Sequence, residues 1–335
     1  MTNKSPNHAI RYSWLVLISF FSVIGAAQAA VVKGKHCAAI QKAINQLPAA
    51  GGEVRIPEGV YLCHKPIVID RDNVSLRGEG AGTLLRLADG ANAPVVVMGQ
   101  AIPIPDAQRR HIVVSDLMID GNRHNQSSEC MGGPCSEAFP LRNNGISIRH
   151  CFDCRVERVT VHSASSGGLV TELTSRRLTI RDYTSYNNEF DGLAGYETEE
   201  SLFSGIHLYD NQAAGFSFDI RFNNNVFNDV LIANSGSVGI FMRDSFDNLF
   251  SNVQILNSKQ HGIFLAQVDD DASKPAAGNS FTGLVVARAG GYGVVANDAS
   301  CNNTLLTGAQ LIDNSAGCIY EATPALVANL GTICR

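Results

Sequence analysis

The chain lacks the features that mark several common protein classes. Aromatic residues make up 7% of its 335 residues, with a single tryptophan, and charged residues make up 17%. No lysine or arginine run is present and the formal net charge is −5, which argues against a nucleic-acid partner because such proteins carry a basic stripe. After residue 29, no apolar run is long enough to span a bilayer. Glycine, by contrast, is abundant at 31 residues, which favours many turns and short strands over a helical bundle.

The first residues have the pattern of a cleavable export signal. Positive charges precede a short apolar stretch at 14–24, and the AQA sequence at 27–29 matches a cleavage site. We therefore predict a signal peptide over residues 1–29, export to the periplasm or the exterior, and a mature domain over residues 30–335, without a transmembrane segment.

All nine cysteines follow the predicted cleavage site, and export permits disulfides. Cys37 and Cys63 flank one unit of the chain, so a bond between them would close that unit. The spacing also indicates two local pairs, Cys130 with Cys135 and Cys151 with Cys154. The second pair is a lone C-x-x-C, which favours a local staple over a metal site. The last three cysteines, Cys301, Cys318 and Cys334, leave one thiol unpaired.

A repeat of nearly constant length runs through most of the chain. Glycine-led segments begin at residues 145, 168, 192, 215, 239 and 262, at intervals of 23 or 24 residues, and looser copies begin at 291 and 317. A unit of about 23 residues holds three short strands and three turns, which is one coil of a parallel β-helix. Because a solenoid grows by adding coils to one core, a single all-β domain is predicted.

Alternation along each glycine-led strand predicts which side chains face inward. The residue after the glycine and the residue two further on are mostly apolar, as Phe216 and Phe218 are, and are expected in the core. The alternate positions then face solvent and form a ladder from coil to coil. An Asn-x-apolar pattern runs in phase with the repeat and predicts a second, structural ladder of Asn225, Asn248, Asn279 and Asn303.

The N-terminal part of the mature chain departs from this repeat. Residues 36–47 have apolar residues at helical spacing and Pro48 follows them, so a short helix is predicted there. Such a helix would cover the open end of the solenoid, where strand edges and core are otherwise exposed. We interpret residues 36–85 as this cap and the first coils.

Two polar segments interrupt the period and are predicted to be loop insertions. They comprise residues 121–144 and 268–278. The second contains Asp269, Asp270 and Asp271, which raises calcium as a possible ligand. These aspartates lack EF-hand spacing, so a solvated acidic loop is favoured, and no other cofactor or metal is predicted.

Several stretches resemble known β-helix families. Residues 38–85, with the runs GGEVRIPEGVYL and LRGEGAGT, resemble the N-terminal unit of the pectate-lyase-like superfamily. The sequence LMIDGNR at 117–123, followed by RLTIRD, NNEFDGL, DNQAAGF and SGSVGIF, is similar coil by coil to the catalytic module of mannuronan C5-epimerases. Together these stretches cover most of the mature chain. The resemblance implies a right-handed parallel β-helix that handles a polysaccharide.

The resemblance fails at one important place. The epimerases carry a YGFDPH-type motif one coil before their NxxDG segment, and this chain has GGLVTE there. The family's tyrosine, aspartate and histidine correspond to Gly167, Val170 and Glu172, and Asp191 of the DG segment is retained. Because epimerisation needs an acid and a base on two sides of the sugar, alginate epimerisation is not assigned from the sequence.

The outward ladder nevertheless brings sugar-active residue types together. Carboxylates serve as acid or base, arginines bind uronate carboxylates, and phenols and imidazoles transfer protons or bind sugar rings. Glu172 and Asp219 lie two coils apart, roughly 9–10 Å, which is at the upper edge for an inverting hydrolase. The candidate catalytic residues are Asp191, Glu172, Asp219 and Tyr196, and the candidate substrate-binding residues are Arg149, Arg243, His261, Arg221 and Gln267.

Two main functions remain open at this point, besides a phage-like or adhesin assembly that would be a stable trimer. The first is an exported enzyme acting on an acidic, uronic-acid-containing glycan, with a lyase or epimerase-like reaction favoured and glycoside hydrolysis as a further option. The second is a non-catalytic glycan-binding or surface-scaffold protein. In that case Glu172 with Arg149, and Asp219 with Arg243, would be cross-strand ion pairs that stabilise the sheet. The sequence leaves the oligomeric state open.

Overall fold

The computed structural model describes residues 1–2, 29–126 and 141–335. The described part is a parallel β-solenoid of about 12 coils with a repeat of about 24 residues and one short helix near its N-terminal end. The predicted fold class is confirmed. Most of the predicted signal peptide and the predicted Cys130–Cys135 pair lie outside the described residues.

Three stacks of strands form the walls of the solenoid. Sheet 1 contains Ile67–Ile69, Val96–Met98, Ile146–Arg149, Leu169–Glu172, Leu193–Tyr196, Phe216–Asp219, Ile240–Arg243, Ser245–Phe246, Ile263–Val268, Asp271–Ala277, Tyr292–Ala296 and Gly317–Glu321. Sheet 2 contains Ala30–Val31, Gly52–Arg55, Gly59–Cys63, Val74–Arg77, Thr83–Leu87, Val113–Asp120, Arg155–His162, Thr179–Tyr186, Leu202–Tyr209, Val226–Ala233, Leu249–Leu256, Ser280–Thr282, Val285–Ala287, Thr304–Thr307, Gln310–Ile312, Val327–Leu330 and Ile333–Cys334. Sheet 3 is a small stack of Arg109–Arg110, Cys151–Phe152, Ser175–Arg176 and Thr198–Glu199.

The strand register follows the predicted repeat. Leu169 pairs with Leu193, Leu193 with Phe216, and Phe216 with Ile240, all in parallel. Each repeat glycine lies just before a strand of sheet 1, where its Cα packs against a side chain of sheet 2. Glycine recurs there because no side chain fits in that space. A Cβ at Gly239 would lie 2.3 Å from Ile255 Cγ2, so a side chain there would collide with the core. The looser repeat predicted to begin at Gly291 begins instead at Gly293. Gly262 donates a hydrogen bond to the Tyr292 carbonyl and therefore lies beside Gly293.

The core is built from stacked identical side chains. Phe203, Phe227, Phe250 and Phe281 lie on successive coils with ring centroids 4.5 Å apart at each step. All four rings are at most 1% exposed. Such stacking holds each coil in register with the next, because slipping by one residue would put these rings in solvent.

The asparagine ladder is present, with one correction. The Asn225 side chain donates to Asn248 Oδ1 at 3.1 Å, and the Asn248 side chain donates to Asn279 Oδ1 at 3.0 Å. Register then places Thr304, not Asn303, on the next coil, because Ser280 pairs with Leu305. Asn303 is exposed, so assigning it to the ladder was wrong by one residue.

The N-terminal cap is confirmed at slightly shorter length. Helix α1 spans Cys37–Asn45, and the His36 side chain accepts the Ala39 N–H at its N-terminus. The Gln41 side chain exchanges two hydrogen bonds with the backbone of Val68, so α1 binds to the first coil of sheet 1. The predicted Cys37–Cys63 disulfide joins the helix to sheet 2.

The remaining described cysteines follow the predicted pattern. Cys151 and Cys154 form a local disulfide between sheet 3 and sheet 2. Cys318 pairs with Cys334, which leaves Cys301 as a buried free thiol.

The segment 268–278 is not the loop that the sequence predicted. Ile263–Val268 and Asp271–Ala277 pair as an antiparallel hairpin, in which Val268 lies opposite Asp271. Ala276 and Ala277 then rejoin the solenoid beside Ser245 and Phe246. The hairpin forms because its alanine-rich second half is buried in the next coil, which polarity alone does not reveal. Of the earlier insertion, residues 127–140 lie outside the described part of the chain.

Candidate functional site

A groove of about 570 Å³ lies on the outer face of sheet 1. Its floor is the predicted outward ladder. Arg149 pairs in register with Glu172, Tyr196 with Asp219, and the strand of Asp219 with that of Arg243. Asp191 enters the groove from two residues before the strand that Tyr196 ends. The structure therefore brings all four candidate catalytic residues and two of the candidate arginines to one surface.

Two of these carboxylates are already paired with arginines. Arg149 Nε donates to Glu172 Oε1 at 2.7 Å, and Arg243 binds Asp219 through Nε at 3.0 Å and through Nη2. The Asp219 side chain is 9% exposed. These contacts are the cross-strand ion pairs of the alternative interpretation, and they reduce the availability of all four groups for a substrate.

Arg149 has a clear structural task in addition. Its side chain is 3% exposed, and it donates to the carbonyls of Gln100, Ile102 and Pro103. One guanidinium thus fixes the segment that borders the groove beside Pro103. Its role as a substrate ligand stays a prediction, and this geometry favours a positioning role.

Three groups that face the groove remain unpaired or nearly so within the described residues. The Asp191 carboxylate accepts one hydrogen bond, from the Ala214 N–H at 2.9 Å, and forms no ion pair. Neither the Tyr196 hydroxyl nor the Arg142 guanidinium makes a hydrogen bond or an ion pair in the part of the chain that the structure describes. Ala194 lies between Asp191 and Tyr196 on the groove floor and leaves space above it.

The environment shifts the proton affinities of two of these groups. Burial raises the pKa of Asp191 to about 6, against the opposing effects of the Ala214 N–H and the charge of Arg142. Burial and the nearby Asp191 carboxylate raise the pKa of Tyr196 to about 12. Around neutral pH, Asp191 is then mostly ionised but binds a proton more readily than an exposed carboxylate, and Tyr196 is a protonated phenol.

Arg142 was missed by the sequence analysis. It lies at the end of the 121–144 insertion, outside any repeat, so no periodic position marked it. In the register of sheet 1, Gly167 lies on the coil between those of Asn144 and Asp191. Because glycine has no side chain, nothing at this position stands between Arg142 and the Asp191 carboxylate. An isolated arginine in a polar insertion carries no sequence signal, and only its position relative to Asp191 singles it out.

A second pocket of about 250 Å³ adjoins the groove at Asp191. Its lining includes Phe241, His261 and Phe264. His261 Nδ1 accepts the Tyr292 N–H at 3.0 Å, and burial lowers the pKa of the ring. A neutral imidazole held this way carries its proton on Nε2, so it donates a hydrogen bond rather than removing a proton. It also lies three coils from Asp191, roughly 14 Å.

The last two candidate ligands lie outside both pockets. Arg221 is 59% exposed and forms an ion pair with Glu197 at 2.9 Å. Gln267 lies at the hairpin, where its side chain accepts from Ser300 at 2.7 Å. The structure does not bring either side chain into the groove.

Metal binding receives no support from the described residues. They contain no group of three or more histidine, cysteine, aspartate or glutamate side chains able to hold an ion. Asp271 of the proposed calcium segment instead accepts from Ser273 and pairs with Lys274 at 3.1 Å. The described part of the chain also contains no helix that is long and apolar enough to cross a membrane.

Fold and groove together define a right-handed parallel β-helix protein with a polar cleft along one wall. Comparison with known proteins agrees: the model of the right handed beta helix region family matches residues 144–329, and the chain belongs to that family.

Individual relatives are more distant. The chain is 29% identical over 219 residues to mannuronan C5-epimerase AlgE1 of Azotobacter vinelandii, a match that covers 63% of this chain and 15% of that protein. It is 29% identical over 188 residues to alginate lyase 7 of the same organism, covering 53% of this chain and 21% of that protein. The solved A-module of the Azotobacter vinelandii epimerase AlgE6 superposes with a TM-score of 0.57 at 18% identity, over 89% of this chain and 94% of that one. The chain thus spans only a small part of the two curated relatives.

Proposed function

We propose that this protein is a lyase or epimerase-like enzyme that acts on a uronic-acid-containing polysaccharide. The observation that carries the proposal is the unpaired set of Arg142, Asp191 and Tyr196 in one groove. These groups supply a cation, a base and an acid, which is the set that proton transfer at a uronate C5 requires. The similarity to mannuronan epimerases and an alginate lyase supports the same substrate class.

The first step is proton abstraction from C5. Arg142 binds the uronate carboxylate and stabilises the negative charge that develops there as the C5–H bond breaks. Asp191 takes the proton, and its raised pKa makes it a stronger base than an exposed carboxylate. Asp191 lies two residues before the strand that Tyr196 ends, roughly 16 Å from Tyr196 along the backbone, and both side chains line the groove, so a sugar bound between them would meet one group on each side.

The second step decides between the two reactions, and Tyr196 is the acid in both. In a lyase, the C5 electron pair forms the C4=C5 double bond, the C4–O4 bond breaks, and Tyr196 protonates the leaving oxygen. In an epimerase, Tyr196 returns a proton to C5 on the opposite face. The raised pKa keeps Tyr196 protonated at neutral pH, so it enters the reaction as a proton donor and not as the phenolate that a base would need. Hydrolysis is less well supported, because Glu172 and Asp219 are both paired with arginines.

The test incubates the purified protein with mannuronan, polygalacturonate and polyglucuronate in D2O. A lyase generates ultraviolet absorbance from the unsaturated uronate and new reducing ends, whereas an epimerase incorporates deuterium at C5 without chain cleavage. Arg142→Ala is expected to abolish turnover, with partial recovery in Arg142→Lys. Arg181→Ala, which removes a half-exposed arginine on sheet 2, is the matched control and retains activity. Absence of both products with all three polymers refutes the proposal.

A specific observation favours the second candidate, glycan binding without turnover. At the positions where the resembled epimerases carry tyrosine, aspartate and histidine, this chain has Gly167, a buried Val170, and a Glu172 that is paired with Arg149. Binding of a polyuronate with no product in the same assay, and no effect of Asp191→Asn on affinity, would establish that function instead.

Export is part of the proposal. Three disulfides among the described residues fit an oxidising compartment. Detection of a mature protein that begins at Ala30 in the periplasm or the medium would establish cleavage at the predicted site.

A further inference from the structure

On the coils that follow Asp191, aromatic side chains lie near the start of the sheet 1 strands, while Asp219 and Arg243 lie at the strand ends. Phe241 and Phe264 lie on adjacent coils at outward positions, with centroids 6.0 Å apart and planes 10° apart. His261 stacks on Phe264 at 5.7 Å and on Tyr292 at 6.1 Å, and Tyr292 contacts Tyr320 at 5.5 Å. These five rings are called the aromatic track, and the last of them lies five coils from Asp191, roughly 24 Å.

The track is continuous with the candidate active site. Asp191 lines both the groove and the pocket that opens the track, and it is the single charged residue of that pocket. The remaining lining is aromatic, small or hydroxylated, including Ser217 and Ser237. The cation at the start of the track is the Arg243 guanidinium, 5.8 Å from the Phe241 centroid, and it is paired with Asp219, whereas Arg142 on the other side of Asp191 forms no ion pair among the described residues.

The rings of the track are available to a ligand. Their centroids lie 5.5–6.1 Å apart, wider than the coil spacing of about 4.8 Å, and Phe241, His261 and Phe264 line the pocket beside Asp191. Tyr320 is 43% exposed, and the other four rings are half-buried. Tyr186 and Tyr209 on sheet 2 differ, because they stack at 4.8 Å with planes 7° apart and cover each other.

We infer that the aromatic track is an extended subsite that binds the pyranose ring faces of the same polysaccharide chain that reaches Asp191. Ring faces carry C–H groups that pack on aromatic rings, while the carboxylates of those sugar units point to solvent. The polysaccharide then lies along the solenoid axis, with a cationic contact on one side of Asp191 and apolar contacts on the other. The reaction then takes place at an internal sugar unit of the polysaccharide, and affinity depends on the length of the polysaccharide. The inference rests on the proposed function only for the identity of the bound polysaccharide.

The test separates binding from turnover by using Asp191→Asn as the parent. Affinities for long chains and for trimers of mannuronan, polygalacturonate and polyglucuronate are measured by calorimetry, with and without Phe264→Ala and Tyr292→Ala combined. Loss of both rings is expected to weaken binding of the long chain about tenfold and to leave trimer binding at the Arg142 side unchanged. Tyr209→Ala in the same parent is the matched control, since it removes a stacked ring on sheet 2.

Salt dependence supplies an independent readout. Track variants are expected to lower the affinity equally at low and high salt, whereas Arg142→Ala lowers it mainly at low salt, because salt screens the charged contact and not the apolar one. Equal affinity of the parent and the track double variant for every long chain overturns the inference. If wild type still turns over a polymer in that case, the proposed function stands alone. If binding depends on the track and no polymer is turned over, the track stands and the proposed function fails.

Discussion

Asp191→Asn separates the catalytic proposal from a structural role, because it is expected to abolish turnover while stabilising the protein. Burial raises the pKa of Asp191 from the usual 3.8 to about 6. A shift of about 2 units corresponds to about 3 kcal/mol between the two protonation states. The folded state therefore retains a proton that the unfolded chain has already released between pH 4 and 6. The free energy of unfolding falls as the pH rises through this window and is level above it.

The asparagine variant has no charge to bury, and its carbonyl oxygen can still accept the Ala214 N–H. It is therefore expected to exceed wild type by about 1–3 kcal/mol at pH 8 and to match it near pH 4. Urea denaturation at both pH values measures the difference. Asp182→Asn is the control, since that side chain is 56% exposed on sheet 2 and its replacement should give no pH-dependent gain. An Asp191→Asn variant that is equally destabilised at both pH values would refute the assigned burial cost and with it the raised proton affinity.

Three further predictions concern the elements that hold the groove in place. Phe227→Ala removes a fully buried ring between two stacked neighbours and is expected to cost about 3–5 kcal/mol in urea denaturation, and a cost below about 1 kcal/mol would contradict the stacked core. Asn248→Ala leaves Asn225 and Asn279 without a ladder partner and is expected to cost about 2–3 kcal/mol, whereas the exposed Asn303→Ala should stay within about 0.5 kcal/mol. Arg149→Ala leaves three carbonyls and Glu172 without their donor and is expected to cost about 3–5 kcal/mol, and an unchanged stability with lost substrate affinity would instead restore Arg149 as a ligand.

The coil architecture could be predicted from the sequence because it depends on a period. Residues about 23 apart must stack when glycine recurs at each corner, and alternation then decides which side chains face inward. This reasoning placed Phe216 and Phe218 in the core and Glu172, Tyr196 and Asp219 on one ladder. It failed at Asn303 and Gly291, where the coil length changes after the hairpin and a fixed period gives the wrong register.

The availability of the site residues could not be predicted in the same way. The period places Arg149, Glu172, Asp219 and Arg243 side by side, but whether they bind one another or a ligand depends on rotamers and distances within a few ångströms. Arg142 belongs to no repeat, so only the folded chain brings its charge near Asp191.

The sequence by itself determined the solenoid, its capped end and the wall on which a groove would lie, because these follow from spacing and side-chain polarity. Tertiary structure decided which groups on that wall remain free. It paired two carboxylates with arginines, partly buried Asp191 near an unpaired guanidinium, and continued the groove into an aromatic track. The physical reason is that proton affinity and ion pairing are set by the distance and burial of groups from separate coils, which the order of residues along the chain does not contain.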